Sequence, residues 1–252
     1  MTYRPNGDYN LDLAEGFITG KSGVSQRGRR NNVSTGSFDD ITQLAALTYP
    51  FPIAAAVVRI AAGGNVNDTA AGTGARSVLV EGLDANLDYI SEVIVTNGAL
   101  ASTATTALFW RINNVSVVDV GTYGGTAAGN INIETVAGAI LSTVTAAADV
   151  SQLAIYSVPA GKTLYVNSIH IHVASSKSAQ VRLVCRERLD VVAAPMGAHI
   201  QLKQYDDLQG EDNHLFKTYI PIPEKSDIWF QGQSNTTAGD ISCELEGVLT
   251  TN

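Results

Sequence analysis

Six segments dominate the second half of this chain: "LAIYSV", "TLYVNSIHIHV", "AQVRLVCRERL", "HLFKTYIPI", "SDIWFQGQ" and "ISCELEGVL". In most of them apolar and polar side chains alternate, which is the period of a strand with one buried face. "VRLVC" puts Val181, Leu183 and Cys185 on one side, and "ISCEL" does the same with Ile241, Cys243 and Leu245. Turn-forming stretches such as "PAGK" separate the segments, and no long helical period competes with them. A chain patterned in this way has to pair its strands into sheets to bury its apolar face.

The first half continues the theme. "RSVLVEG" (76–82) and "YISEVIVT" (89–96) alternate, and the turn-rich "LDANLD" between them predicts a hairpin. "ALFWRI", "VSVVDV" and "NINIET" follow, the last two separated by the glycine-rich "GTYGGTAAG". Within 163–173, Leu164 and Val166 occupy one phase while Ile169, Ile171 and Val173 occupy the other, so a bulge is expected near Asn167. Two blocks, 50–138 and 150–252, read as sandwich domains joined by a linker at 139–149. Residues 37–49 read as a linker or a short helix, with Ser37 as its cap and Asp40 three residues on. Residues 1–36 have the least regular pattern and read as an extended N-terminal arm. The expected fold class is all-β: tandem jelly-roll-like β-sandwich domains preceded by that arm.

Charged residues make up 16% of the chain and the net charge is −8, which disfavours nonspecific nucleic-acid binding and docking on anionic membranes. The N-terminus lacks the basic start and apolar run of a signal peptide, and "IAAAVVRIAA" at 53–62 is too short to span a bilayer. A soluble protein that is not exported is expected. Cys185 and Cys243 are the two cysteines; both fall on strand faces and read as buried, reduced thiols of a protein made in a reducing cytoplasm.

Several segments, in their order along the chain, resemble virion structural proteins of tailed bacteriophages. They are "MTYRPNGDYNLDLAEG", "GRRNNVSTGSFDDI", "NDTAAGTGARSVLVEGLDANLDYISEVIVTNG", "WRIN", "GTAAGNI", "LAIYSVPAGKT" and "PEKSDIWF". The resemblance spans nearly the whole chain, although "QRGRR" stands where relatives often carry an aromatic beside the glycine. It implies a non-enzymatic component of the virion, assembled in the host cytoplasm. The expected role is an oligomeric capsid decoration or cement protein, a homotrimer whose partner is the major capsid protein. The alternatives are a tail adaptor or fibre-anchoring protein, with tail or fibre proteins as partners, or a module that binds host glycans.

Individual residues sharpen these expectations. "EGFITGKSG" imitates a phosphate-binding loop, but Gly16 and Gly20 enclose three residues rather than four and no helix-forming sequence follows Lys21-Ser22. Arg27, Arg29 and Arg30, with Lys21 upstream, are the concentrated basic patch, expected to meet acidic groups on a partner; no aromatic residues interleave them to stack bases. Trp110, Trp229 and Tyr123 are candidates for glycan stacking or for a subunit interface. His170 and His172, two apart on one strand, could chelate a metal, but no spacing supplies a third ligand, so no metal or other cofactor is expected. Asp84 to Asp88 imitates a calcium loop, yet Tyr89 and Val95 stand where glycine and glutamate belong, which favours a hairpin turn. No nucleophile elbow occurs, and Asp39-Asp40 and Asp206-Asp207 would point apart in extended chain.

Overall fold

The structure is a computed structural model that describes residues 8–191 and 198–252; part of the expected arm, residues 1–7, lies outside them. Among the described residues one helix and fifteen strands form, numbered in chain order, and every strand pairing is antiparallel. One sheet runs β1 (Lys21–Val33), β15 (Gly239–Thr251), β10 (Lys162–Val173), β13 (Gly210–Ile222). A second runs β12 (Ile200–Leu208), β11 (Ala179–Arg186), β14 (Asp227–Ser234), β2 (Asp39–Asp40), and β9 (Ile155–Ser157) also pairs with β14. These two sheets share one core, in which the inward residues of β10, β11 and β15 meet: Leu164, Ile169, Val181, Leu183, Ile241 and Leu245. Each such side chain contributes about 1.5–3 kcal/mol relative to exposure, so the alternation in the sequence translates directly into the sandwich.

A smaller sandwich pairs β3 (Val58–Ile60), β7 (Ile131–Thr135) and β8 (Ile140–Val144) with β5 (Tyr89–Val95), β4 (Ala75–Leu83) and β6 (Arg111–Val120). Its core holds Val58, Val78, Val80, Phe109, Ile133 and Leu141. This unit is inserted between β2 and β9 of the larger one, so the two sandwiches are nested in the chain and not simply consecutive. The stretch 139–149, expected as a linker, contains β8, and its Leu141 and Val144 are fully buried. Small residues around it weaken the alternation that would otherwise mark a strand.

The expected hairpin forms from β4 and β5, Ser77 opposite Val95 through Leu83 opposite Tyr89. Its turn is held by the Asp84 carboxylate, which accepts from the backbone N–H groups of Asn86 and Asp88, so the residues that imitate a calcium loop close a hairpin. The register of β10 slips between Val166 and Ser168 against both neighbours. That bulge lets both apolar phases, Leu164 and Val166 as well as Ile169, Ile171 and Val173, reach the core.

Two local expectations are corrected. No helix forms at 37–40. Asp39 and Asp40 lie in β2, where Asp39 accepts from Ser34 N and pairs with Arg30, and Asp40 accepts from Tyr49 N, Trp229 Nε1 and Gln231 Nε2. These long-range partners outweigh a capping box. The helix α1 lies instead at Tyr9–Ala14, capped by Asp8, which accepts from the N–H groups of Asn10 and Leu11. The arm is extended as expected but not free: residues 21–33 are β1, paired with β15 from Lys21 against Thr250 to Arg30 against Ile241. Gly28 permits this, because a Cβ there would collide with the backbone of Ala154.

Candidate functional site

Charge gathers in two places, one buried and one open. The buried one joins the sandwiches. Arg111, from β6, donates through Nε and Nη2 to the Asp227 carboxylate of β14 at 2.9 and 3.1 Å, and Arg186 of β11 and the hydroxyl of Ser157 donate to it at 3.0 and 2.6 Å. Arg111 also donates to the carbonyls of Pro52 and Trp110. Phe51 lies under both guanidinium groups. Arg111 and Asp227 are shielded from solvent, so the cluster has no route to a substrate and acts as an ionic joint.

The open place is the edge of β1. Its strand neighbour among the described residues is β15, which leaves the other edge unpaired. Two clefts open beside β1. The first, about 670 Å³, is lined by Ser22 to Arg27, with Glu81, Tyr89, Asn114, Tyr156 and Lys162 across from them or at its end. The second, about 540 Å³, crosses the outer face of the sheet from Arg27 to Arg29 of β1 over Ser242 and Glu244 of β15 and His170 and His172 of β10 to Glu211 of β13, with the segment 147–150 on its other side. Arg27 and Val150 line both clefts. Consecutive residues of β1 line the first cleft, so the strand's backbone edge forms part of its wall, and Gln26 reaches across it, its Nε2 donating to the carbonyls of Asn113 and Leu153.

Within the first cleft the Tyr89 hydroxyl donates to Glu81, which also accepts from Asn114 Nδ2. Desolvation and the Glu81 carboxylate push the Tyr89 phenol up to about 12. Burial, and Tyr89 nearby, push Tyr156 up as well. Both tyrosines are therefore neutral hydrogen-bonding groups at any ordinary pH. Sequence reading does not single out Glu81, Tyr89, Asn114, Tyr156 or Lys162. The register of the β4–β5 hairpin places Glu81 and Tyr89 diagonally on one face, which is a usable signal, but the other three come from separate strands or segments.

The residues singled out from sequence divide. Arg27 is exposed and nothing among the described residues pairs with it. Arg29 is exposed but bound to Asp240 at 2.8 Å. Arg30 is a correction: it is 5% exposed, donates to the carbonyls of Leu44 and Ala46, and pairs with Asp39, so it cannot meet a partner. Its place in β1 turns it inward, one residue out of phase with its neighbour. Lys21 lies over the Tyr9 ring and opens β1 in place of a phosphate-binding helix.

Trp229 is also corrected as a stacking residue. It is 3% exposed, packs with Leu44, Tyr49 and Val184, and donates to Asp40. Trp110 is half-buried against Leu83, Leu87 and Leu189 and donates to the Pro52 carbonyl. Tyr123 is fully exposed in the glycine-rich loop. His170 and His172 face outward on β10, with Glu246 3.9 Å from His170. Among the described residues no group of three or more His, Cys, Asp or Glu is placed to hold a metal ion. Both thiols are buried and free, and burial pushes Cys185 up to about 12. Among the described residues no helix is long and apolar enough to cross a membrane.

Neither a known protein family nor a curated protein matches the chain. Among solved structures, the infectious bursal disease virus Gx strain is similar over 92% of this chain and 72% of that one, at 8% identity and a TM-score of 0.26. An isomalto-dextranase of Arthrobacter globiformis T6 complexed with panose is similar over 91% of this chain and 34% of that one, at 10% identity and a TM-score of 0.22. Likeness at these TM-scores carries no argument about function.

Proposed function

We propose that this chain is a non-enzymatic structural component of a tailed-bacteriophage particle, a homo-oligomer that decorates and cements the head shell. The reading rests on the ordered resemblance of its segments and, above all, on one observation: a side of the larger sandwich built for contact. Strands β12 and β13 are the adjoining edges of the two facing sheets, and each is exposed on both faces over most of its length. Leu215 is 72% exposed there, with Ile200 and Tyr219 near half. Unpaired edges carrying large apolar side chains are costly in a lone monomer and ordinary in a subunit.

In this role the buried ionic joint keeps the two sandwiches from hinging, so that load applied to one is passed to the other. Added interface between capsid subunits resists the outward pressure of packaged DNA, and several linked contacts multiply a modest affinity. The basic residues contribute less than the sequence suggests, since Arg30 is buried and Arg29 is paired. The test is the copy number of the protein per purified virion, by quantitative mass spectrometry against the major capsid protein. A number comparable with the capsid subunit is expected. A handful of copies would move the protein to the tail, as an adaptor or fibre anchor.

A further inference from the structure

We propose that the first cleft is a binding site for a neutral saccharide, with the Tyr89 ring under an apolar sugar face and the Glu81 carboxylate accepting from sugar hydroxyls. Three observations carry it. The first is the cleft's position and size. It opens between the two sandwiches, with the outer face of the β5–β4–β6 sheet on one side, through Tyr89, Glu81 and Asn114, and the edge of β1 on the other. The Arg111–Asp227 joint fixes the two sandwiches against each other, so the cleft is formed before a ligand arrives. Its volume of about 670 Å³ falls within the roughly 300–1,000 Å³ of clefts that hold compact organic ligands. That volume remains with Gln26 in place, whose reach to the carbonyls of Asn113 and Leu153 interrupts the β1 edge and favours a compact molecule over an extended chain.

The second observation is the chemistry of the lining. Its charged residues are Arg27, Glu81 and Lys162, and Arg27 stands opposite Glu244 in the β1–β15 pairing, so no excess of either sign calls for an ionic ligand. What remains is a mixed set of hydrogen-bonding groups with unused capacity. The Glu81 carboxylate accepts from Tyr89 at one oxygen and from Asn114 at the other, and a carboxylate has about four acceptor sites. Gln26 Oε1, Asn114 Oδ1 and the Tyr156 hydroxyl have no partner among the described residues. Donors and acceptors side by side suit hydroxyl groups, each of which both donates and accepts. The third observation is Tyr89 itself. It is 56% exposed and its hydroxyl is tied to Glu81, so an open aromatic ring is held beside the acceptor. A sugar ring presents an apolar C–H face and a rim of hydroxyls, which matches an aromatic ring next to a carboxylate. The inference stands on this cleft and not on the virion reading, which the copy number tests separately.

The experiment titrates the purified full chain, by calorimetry, with neutral saccharides of glucose, galactose, mannose, rhamnose and N-acetylglucosamine, from single sugars to hexasaccharides, and with uronic-acid oligosaccharides of matching length. Binding of at least one neutral saccharide with a dissociation constant of about 1 mM or below is expected. Affinity that grows with length supports a segment of a polysaccharide as the ligand, and equal affinity for the single sugar supports a free one. Tyr89→Ala should weaken binding roughly tenfold and Tyr89→Phe, which keeps the ring, by no more than about threefold. Glu81→Gln should weaken it by about tenfold. Tyr123→Ala, in the exposed glycine-rich loop, should leave it unchanged. Tyr89 and Glu81 stand on the outer face of their sheet, so an unchanged melting temperature will show that each variant is folded; if Glu81→Gln melts lower, the two Tyr89 variants carry the test. Failure of every saccharide to bind, tighter binding of the uronic-acid oligosaccharides than of the neutral ones, or binding that survives Tyr89→Ala overturns the proposal.

Discussion

Asp227 is the residue on which most depends, because one carboxylate answers the buried Arg111, the partly buried Arg186 and a hydroxyl. Asp227→Asn keeps the shape and removes the charge, leaving Arg111 and Arg186 uncompensated. A loss of about 3–5 kcal/mol in chemical denaturation is expected, with the variant still able to fold if the wild type is stable enough. His199 sets a pH dependence. Desolvation, with Arg182 and Arg186 nearby, holds its pKa below the usual histidine value. As pH falls through about 6.5 the unfolded chain takes up the proton first, so the folded state loses stability until its own lower pKa is passed. Between about pH 7.5 and about pH 5.5, the urea midpoint of the wild type should therefore fall further than that of His199→Gln.

Among the elements, β1 departs most from its expectation. Read as a free arm, it should be cut readily by a nonspecific protease; paired with β15 and packed on Ala154, it should resist as the body does. Gly28→Ala is expected to cost about 1–3 kcal/mol or more, by forcing β1 away from Ala154, and to raise amide exchange across β1 before the rest of the sandwich. The bulge in β10 and the β4–β5 hairpin were legible because they show as phase and turn chemistry within one segment. The helix expected after Ser37 was not excluded by any local signal. Asp39 and Asp40 find partners up to 191 positions away, Gln231 among them, and local propensity cannot register such partners.

At the scale of the molecule, the β12–β13 side lies at the end of the larger sandwich away from β1. Leu215→Asp places a charge in the middle of the exposed apolar side. Native mass spectrometry and sedimentation should show the oligomer shifted toward monomer by at least tenfold in dissociation constant, with the fold unchanged by circular dichroism. A wild-type protein that is monomeric at every concentration would remove that side as a subunit contact.

What the sequence determined by itself is the material of the fold: strands of period two, their turns, the buried thiol faces and the slip near Asn167, all set by which side chain follows which. Only the tertiary structure decided how the segments join. It sent β1 and β2 back to the strands of the C-terminal half, nested the smaller sandwich between them, turned Arg30 and Trp229 inward, and brought Arg111 to Asp227. The reason is that strand pairing is satisfied by backbone groups that every residue carries. A strand's pattern says that it will pair, and the packing of whole faces chooses with what.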